Sequence, residues 1–304
     1  MIEIKNISKS FKNNFWESSH SALSGVSLKV KNGEIVGLLG QNGSGKTTLL
    51  KIILKFISGD SGEVIHGERL LKSGLVDFGR IGYLPENAYL YPFMTGIDFL
   101  KYTSQLNDVS KKNFEKSSNY WGERLGIKRA LKKQIRSFSK GMQQRLTFIS
   151  IIMHSPSFII LDEPFSGLDP LGRAEFKKIL IELKSDGKTI LFTTHLIVDV
   201  EEICDSVIVL EAGKVIVNDK VQTILNKAVG FTIIVRVRGC LKNNIKTPLI
   251  SLSHQMDEMS LEVDGPNLNS IIKESIEQNL EIVSIENKKV SLESIFFKEI
   301  KKNE

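Results

Sequence analysis

One short stretch constrains the fold of this chain more than any other part of its sequence. It reads Gly40, Gln41, Asn42, Gly43, Ser44, Gly45, Lys46 and Thr47, which fits the phosphate-loop pattern G-x-x-x-x-G-K-[ST]. Gly43 and Gly45 leave room for backbone N–H groups to approach a dense negative charge, because glycine has no Cβ. Lys46 can reach the outer phosphates, the Thr47 hydroxyl can bind Mg²⁺, and Thr48 is placed to contact the α-phosphate. The stretch therefore predicts a site for a nucleoside triphosphate.

The residues on either side of this loop support the same interpretation. The loop follows a short apolar run, Glu34–Leu39, which is typical of a buried parallel strand. Leu49–Phe56 has the apolar spacing of a helix, and a helix that begins at Lys46 directs its positive end at the bound anion. Strand, loop and helix in this order predict an α/β fold with the loop at the edge of a parallel sheet.

Two carboxylates end a second apolar strand. Asp162 and Glu163 follow Phe158–Leu161, which places them at the carboxyl edge of the predicted sheet, beside the phosphate loop. We expect Asp162 to hold Mg²⁺, directly or through water, and Glu163 to polarise a water molecule toward the γ-phosphate. The alternative is that both residues only cap a helix or turn, which their position after a phosphate loop disfavours.

A histidine ends the next predicted strand. His195 follows the run Thr189–Thr194, one strand beyond the carboxylate pair. A lone histidine is more often a satisfied core or surface residue than a catalytic one. Because strand ends of parallel sheets form such sites, we nevertheless expect His195 to contact the γ-phosphate.

The remaining patterns divide the chain into two domains. Alternating residues near Ile2–Ile7 and Val26–Val30 predict an antiparallel flap beside the parallel core. Helical patterns then dominate between the core strands, so that a helical insertion spans about 87–150. It includes a predicted helix over Lys128–Gln134 and a helix that Ser139 caps. The core domain runs from 1 to 225, and residues 226–304 form a small α+β accessory domain.

Aromatic residues near the N-terminus are candidates for stacking on the base of the nucleotide. Phe11, Phe15 and Trp16 compete for this role, and packing in the core is an equally good interpretation of each.

Charge and cysteine content add weaker constraints. The formal net charge is +6, and the stretch from Lys101 to Lys140 carries 11 basic and 3 acidic residues. Such a stretch could contact nucleic acid or acidic lipid, but few aromatic residues interleave with it, which favours a solvated helix face. Cys204 and Cys240 lack metal-ligand spacing and suit a reducing compartment. No apolar run reaches the ~18 residues of a spanning helix, so any membrane role needs a partner.

Six motifs occur in an order that resembles the nucleotide-binding subunit of ABC transporters over about residues 1–225. They are the phosphate loop, Glu86 after a strand, Ser139-Lys140-Gly141-Met142-Gln143, Asp162-Glu163, Ser166-Gly167-Leu168-Asp169 and His195. The resemblance implies a P-loop NTPase with a RecA-like parallel core, an antiparallel flap and a helical insertion. It also implies a head-to-tail dimer that encloses two ATP molecules. Ser139 and Gly141 of one subunit, with Gln143 and Asp169, would complete the site for the ATP of the other. Lys46, Glu163 and His195 would then be the catalytic residues.

Two departures from the usual family motifs refine the resemblance. Glu86 stands where the family usually has glutamine, and it can still coordinate Mg²⁺ although it lacks an N–H donor. Phe138 and Lys140 replace the leucine and the first glycine of LSGGQ. Both variations are similar to the drug-resistance and antibiotic-exporter branch, whose membrane partners are of the ABC-2 type. The tail over 290–296 is similar to the C-terminal extension of that branch.

From this resemblance we expect an ATPase subunit that drives export. Its expected partners are a second ABC ATPase subunit, identical or homologous, and integral membrane permease subunits, with no nucleic acid. It would be cytoplasmic and held on the inner face of the membrane by those subunits. Two alternatives remain at this point. One is a soluble ABC ATPase that acts on nucleic acid or ribosomes, and the other is the ATPase subunit of an uptake transporter.

Overall fold

A computed structural model describes residues 1–11, 20–227, 232–239, 245–255 and 258–287. The chain divides into two compact units, Met1–Val221 and Gln222–Glu304. Phe15, Trp16, Cys240 and the tail motif over 290–296 lie outside the described residues.

Strands and helices alternate through the first unit in the way that a parallel α/β fold requires. Its strands in chain order are β1 (Ile2–Phe11), β2 (His20–Val30), β3 (Ile35–Leu39), β4 (Ser61–His66), β5 (Leu71–Lys72), β6 (Leu75–Val76), β7 (Ile81–Leu84), β8 (Phe158–Leu161), β9 (Thr189–Thr194), β10 (Ser206–Glu211) and β11 (Lys214–Lys220). Its helices are α1 (Lys46–Ile53), α2 (Gly96–Leu106), α3 (Lys111–Arg124), α4 (Lys140–Ile152), α5 (Pro170–Ser185) and α6 (Ile197–Ile203).

The central sheet has the strand order β11-β10-β3-β9-β8-β7. The five strands from β10 to β7 are parallel, and β11 pairs antiparallel with β10. Side chains of β8 alternate between two apolar cores, because Ile159 packs with Phe148 and Phe176 while Ile160 packs with Leu49. Burial on both faces explains the almost purely apolar sequences of β3 and β8. All carboxyl ends of the parallel strands therefore meet at one edge of the sheet.

A separate antiparallel sheet, ordered β2-β1-β4, forms the predicted flap. Ile4 pairs with Leu28 on one side and with Val64 on the other, and all three belong to the core that also contains α1.

The helical insertion between β7 and β8 contains α2, α3 and α4. Thr95, Ser110 and Ser139 cap these helices through side-chain oxygens. The predicted helix over Lys128–Gln134 is wrong, since short 3₁₀ turns occur at Ala130–Lys132 and Ile135–Ser137.

The reason for that error is a tertiary contact. Leu131 and Ile135 are buried and four residues apart, which mimics one face of a helix. The backbone between them instead pairs with the segment before α2. Lys133 O accepts from Gly96 N at 3.2 Å, and Ile135 N donates to Met94 O at 2.9 Å.

The second unit contains an antiparallel sheet with the order β13-β14-β12-β15. Its elements are α7 (Val221–Lys227), which begins at the boundary, β12 (Thr232–Arg238), β13 (Ser251–Gln255), β14 (Glu258–Asp264), α8 (Leu268–Glu277) and β15 (Glu281–Asn287). One face of the sheet is apolar, and Val235 and Leu261 pack there with Ile271 of α8. β13 was not predicted, because Ser-Leu-Ser-His-Gln has a single strongly apolar residue. In neither unit do the described residues include a helix with the length and apolar character that crossing a membrane requires.

Candidate functional site

The phosphate loop joins β3 to α1 at the carboxyl edge of the central sheet. Gly43 and Gly45 have φ angles of +83° and +104°, in the left-handed region that favours glycine. A Cβ at Gly45 would lie only 2.4 Å from Ala22 O, so no other residue fits there without a backbone shift. The sequence pattern thus reflects both the conformation of the loop and its tight packing against β2.

Lys46 folds its side chain back over this loop. Its Nζ donates to Gly40 O at 2.7 Å and to Gln41 O at 3.1 Å, and the side chain is only 7% exposed. Burial lowers the pKa of Lys46, while Glu163, Asp162 and Glu86 oppose that shift. Because loop carbonyl groups hold the Lys46 ammonium in place, it is suited to bind an anion that enters the loop.

The hydroxyl of Ser44 indicates that a phosphate fits this loop. Ser44 Oγ is buried and, among the described residues, has no hydrogen-bond partner. Buried polar atoms are rarely left unpaired unless a ligand or water completes them. The hydroxyl, the Lys46 ammonium and the open space beside Gly43 together fit a phosphate group.

Asp162 connects three segments of the chain at the end of β8. Its backbone N–H donates to Leu84 O at 2.8 Å. Its Oδ2 accepts from Thr47 Oγ1 at 2.8 Å and its Oδ1 accepts from Thr193 Oγ1 at 2.6 Å. The side chain is fully buried, so both hydroxyls compensate its desolvation.

The donors around Asp162 suit Mg²⁺ when substrate phosphates are present. Mg²⁺ prefers oxygen ligands, keeps several waters, and takes only one or two carboxylates in sites of this kind. Thr47 and Asp162 can supply one hydroxyl and one carboxylate. Within the ranges that the structure describes, no group of three or more His, Cys, Asp or Glu side chains could hold a metal ion.

Glu163 lies between Lys46 and His195. His195 Nδ1 is 3.1 Å from Glu163 Oε2, and Lys46 Nζ is 4.0 Å from Glu163 Oε1. Because a carboxylate only accepts, Nδ1 carries the proton in this contact. The backbone of Glu163 is left-handed, with φ of +48°, and its N–H donates to Thr193 Oγ1 at 2.8 Å. The structure therefore brings together the three residues that the sequence suggested for catalysis.

Glu86 and Phe11, the predicted metal ligand and base-stacking residue, make no hydrogen bond or ion pair with the phosphate loop among the described residues. Glu86 follows β7 and is exposed, yet its charge acts on Lys46, so it lies within electrostatic reach of the phosphate loop. Phe11 ends β1 with 40% of its surface exposed, and Lys9 Nζ lies 5.6 Å from its ring centroid. An exposed ring beside a cation remains available to stack on a base.

The Ser139–Gln143 segment packs against the Ser166–Asp169 turn. A Cβ at Gly141 would lie 2.7 Å from Gly167 O, so the two segments touch through their backbones. Asp169 Oδ1 accepts from Arg145 Nη2 at 2.6 Å. Ser139 Oγ caps α4 by accepting from Met142 N at 3.3 Å. Across the described residues, no hydrogen bond or ion pair joins either segment to the phosphate loop.

Sequence reasoning missed two threonines that organise the site. Thr193 and Thr194 are buried at the end of β9, and Thr193 links Asp162 with the backbone of Glu163. Two adjacent hydroxyl residues at the carboxyl end of the strand were the available signal.

The basic stretch from Lys101 to Lys140 is partly neutralised within the fold. Arg124 pairs with Glu175 and Glu182 of α5, and Lys128 pairs with Glu123. These pairs weaken the case for a nucleic-acid surface.

Comparisons with known proteins agree with this geometry. Residues 23–166 match the family model described as "ABC transporter". An uncharacterized ABC transporter ATP-binding protein of Synechocystis sp. is 35% identical over 309 residues, which cover 99% of this chain and 85% of the relative. The linearmycin resistance ATP-binding protein LnrL of Bacillus subtilis is 26% identical, with 97% of each chain covered. A dimeric ATP-binding cassette solved in a post-hydrolysis state with ADP and Pi superposes with a TM-score of 0.64 at 26% identity, covering 73% of this chain and 99% of that one.

The phosphate loop, the parallel sheet and the helical insertion define a P-loop ATPase cassette. Sequence and fold together show that the chain belongs to the ABC transporter ATP-binding proteins, and it is an ATPase of that family. The cassette solved with ADP and Pi is dimeric. The predicted family, fold class and ATPase activity are thereby confirmed.

Proposed function

We propose that this chain hydrolyses ATP in a head-to-tail dimer and thereby drives export through separate membrane subunits of the ABC-2 type. The observation that carries the proposal is the position of the Glu163 carboxylate, between the Lys46 ammonium and the His195 ring. In this proposal the subunit is peripheral on the inner face of the membrane.

ATP binds through its phosphates to the loop and the first turn of α1. The binding residues are Gly40, Gln41, Asn42, Gly43, Ser44, Gly45, Lys46, Thr47 and Thr48. Backbone N–H groups, the Ser44 hydroxyl and the positive end of α1 all favour the triphosphate. Phe11 stacks on the adenine.

Thr47 and Asp162 would hold Mg²⁺, with Glu86 as a further oxygen ligand. A bound Mg²⁺ would supply positive charge that offsets the negative charge of the triphosphate and of its leaving oxygen. The Thr193 hydroxyl keeps Asp162 oriented, because it occupies the oxygen that does not face Thr47.

Glu163 acts as the general base. Its carboxylate is 14% exposed, so water can reach it while the surrounding protein keeps its orientation. The carboxylate takes the proton of the attacking water, and His195 steadies it through Nδ1. In this proposal the His195 ring also contacts the γ-phosphate. Lys46 balances the negative charge of the same phosphate.

A second subunit completes each ATP site. Ser139, Gly141, Gln143 and Asp169 lie on the surface formed by the start of α4 and the adjacent turn. The proposal assigns them to the ATP bound by the other subunit, where the positive end of α4 faces the γ-phosphate.

An exposed group of aromatic side chains supports docking on a membrane partner. Tyr89, Tyr91, Phe93 and Tyr102 form this aromatic patch in the segment that follows Glu86 and in α2. Tyr91 and Tyr102 pack edge to face with centroids 6.1 Å apart, so the patch is continuous at that point. Exposed apolar patches on soluble domains mark interaction sites. We assign this patch to a membrane subunit, because three of its four residues closely follow Glu86, a proposed ligand of the Mg²⁺ that accompanies ATP.

Export, as opposed to uptake, rests on the motif variants at Glu86 and Lys140 and on the relative named for linearmycin resistance. The test is to purify the tagged full chain from native membranes and identify the proteins bound to it. We expect a partner with several apolar spanning helices and no ATP-binding cassette of its own.

A matched pair of variants makes this test specific. Phe93→Ser should lose the partner and keep the basal ATPase, whereas Leu75→Ser, equally exposed but outside the patch, should keep both. Recovery of an uptake permease would contradict the export proposal. Salt-sensitive RNA or DNA binding that stimulates the ATPase would favour a soluble role instead.

A further inference from the structure

A charged cluster around a buried carboxylate lies beside the catalytic strand ends, and its charged members have no part in the chemistry described above. It consists of Asp199 on α6, Arg173 and Lys177 on α5, and Thr194, the last residue of β9. Asp199 is completely buried. A buried carboxylate of this kind needs compensating donors, so its contacts show what it holds in place.

The carboxylate of Asp199 accepts from all three partners. Oδ1 accepts from Arg173 Nε at 3.0 Å and from Lys177 Nζ at 2.8 Å. Oδ2 accepts from Arg173 Nη2 and, at 3.3 Å, from Thr194 Oγ1. The fork of Arg173 makes the geometry directional as well as strong.

Thr194 connects Asp199 to the backbone on both sides of His195 through hydrogen bonds. Its Oγ1 accepts from Leu196 N at 3.0 Å, just after the histidine. Its carbonyl oxygen, just before the histidine, accepts from Gly40 N at 3.3 Å. The turn that carries His195 is thus tied to Asp199 at one end and to the phosphate loop at the other.

The two cations also contact the segment that follows Glu163. Arg173 and Lys177 lie 5.5 Å and 5.7 Å from the ring centroid of Phe165, two residues beyond Glu163. Phe165 packs edge to face on Phe192 of β9, with centroids 5.6 Å apart. Arg173 and Lys177 therefore contact both Phe165, in the segment after Glu163, and Asp199, which holds the turn that carries His195.

We propose that Asp199, with Arg173, Lys177 and Thr194, is a positioning residue that sets His195 against Glu163 for ATP hydrolysis. This inference rests on the proposed function of Glu163 and His195. Misplacing a catalytic group by about 1 Å can slow a reaction about 100-fold, so a rigid anchor behind His195 has a direct effect on rate.

The test compares Asp199→Asn in two backgrounds of the full-length protein, with ATPase rates measured across ATP concentrations. In the wild-type background we expect kcat to fall about tenfold while KM for ATP changes less than about twofold. In a His195→Ala background the same substitution should change kcat by less than about twofold, because two residues that act through one contact are not additive. Glu202→Gln is the matched control, since Glu202 also pairs with Lys177 from α6, whereas the Thr194 hydroxyl bonds to Asp199 and Leu196 N.

A second pair of variants covers the case in which Asp199→Asn does not fold. Thr194→Val removes only the hydroxyl that links Asp199 to Leu196 N and should lower kcat in the same way. Thr194→Ser restores the hydroxyl and should restore the rate. An unchanged kcat, or equal losses in both backgrounds, would overturn the positioning role alone. Wild-type turnover by Glu163→Gln would overturn the proposed function and this inference with it.

Discussion

The Thr47 hydroxyl donates to Asp162 Oδ2 at 2.8 Å and joins positions that are 115 residues apart in the chain. One residue belongs to the first turn of α1 and the other to the end of β8. The contact holds the two proposed Mg²⁺ ligands side by side through a hydrogen bond within the protein. Such preorganisation reduces the conformational entropy that metal binding must overcome.

Asp162→Asn should separate metal binding from nucleotide binding. The amide keeps the shape of the side chain but removes its charge, so we expect turnover to fall about 100-fold and the Mg²⁺ requirement to rise. The measurement is ATPase rate against Mg²⁺ concentration at fixed ATP, with chelation by EDTA expected to stop the reaction. Thr47→Ser keeps the hydroxyl and serves as the control. An unaltered Mg²⁺ dependence in Asp162→Asn would refute the assignment.

Glu163→Gln should bind ATP and fail to hydrolyse it. Loss of a general base lowers rates by about 10²- to 10⁴-fold, and the neutral amide also removes repulsion toward the γ-phosphate. We therefore expect a closed, ATP-loaded dimer that persists in size-exclusion chromatography. Glu115→Gln, exposed on α3, should behave as wild type. If the Glu163→Gln protein turns over ATP at the normal rate, the base lies elsewhere.

Mixing two inactive variants tests the head-to-tail dimer. Lys46→Met removes the ammonium from the phosphate loop, and Ser139→Ala removes the cap hydroxyl of α4. Each variant alone should be inactive. In a mixed dimer, the phosphate loop of the Ser139→Ala chain faces an intact Ser139 of its partner. Random pairing would then restore about a quarter of the wild-type sites.

The controls for the mixing experiment are mixtures of each variant with itself, at the same total concentration. Persistent inactivity of a mixture shown to contain mixed dimers would argue against composite sites. Full activity of Ser139→Ala alone would exclude a role for that hydroxyl.

His66 should make the fold sensitive to mild acid. Its Nε2 contacts Ile53 O at 2.8 Å, and burial lowers its pKa below the usual 6.5. Above that value the ring is neutral in both states. As the pH falls below it, the unfolded chain takes up the proton first, so stability is lost. We expect His66→Gln, whose amide can still donate to Ile53 O, to reduce the loss of Tm between about pH 7 and pH 5 by about 2 °C. His20→Gln, at an exposed position, is the control, and an equal slope in all three proteins would contradict the prediction.

The sequence predicted correctly those features that depend only on residues close together in the chain. The phosphate loop depends on glycine conformation and on its neighbours, and the cap at Ser139 depends on residues within one helical turn. The order of motifs then indicated the family and the fold.

Contacts between distant segments could not be predicted in the same way. Thr193 acquires its role only because β8 and β9 are adjacent, and Asp199 only because α5 packs beside α6. The failure at Lys128–Gln134 has the same cause, since pairing with the segment before α2 overrides a helical pattern.

The aromatic patch affects how the subunit behaves when a cell produces it without its proposed partner. Tyr89 is 96% exposed and Phe93 is 77% exposed, on a chain whose family members serve transporters. Copies synthesised in excess over the proposed membrane partner would present these rings to one another and to chaperones. We therefore expect cells to match production of the two subunits. Overexpression of this chain alone should yield aggregated protein, and serine substitutions in the aromatic patch should reduce that aggregation.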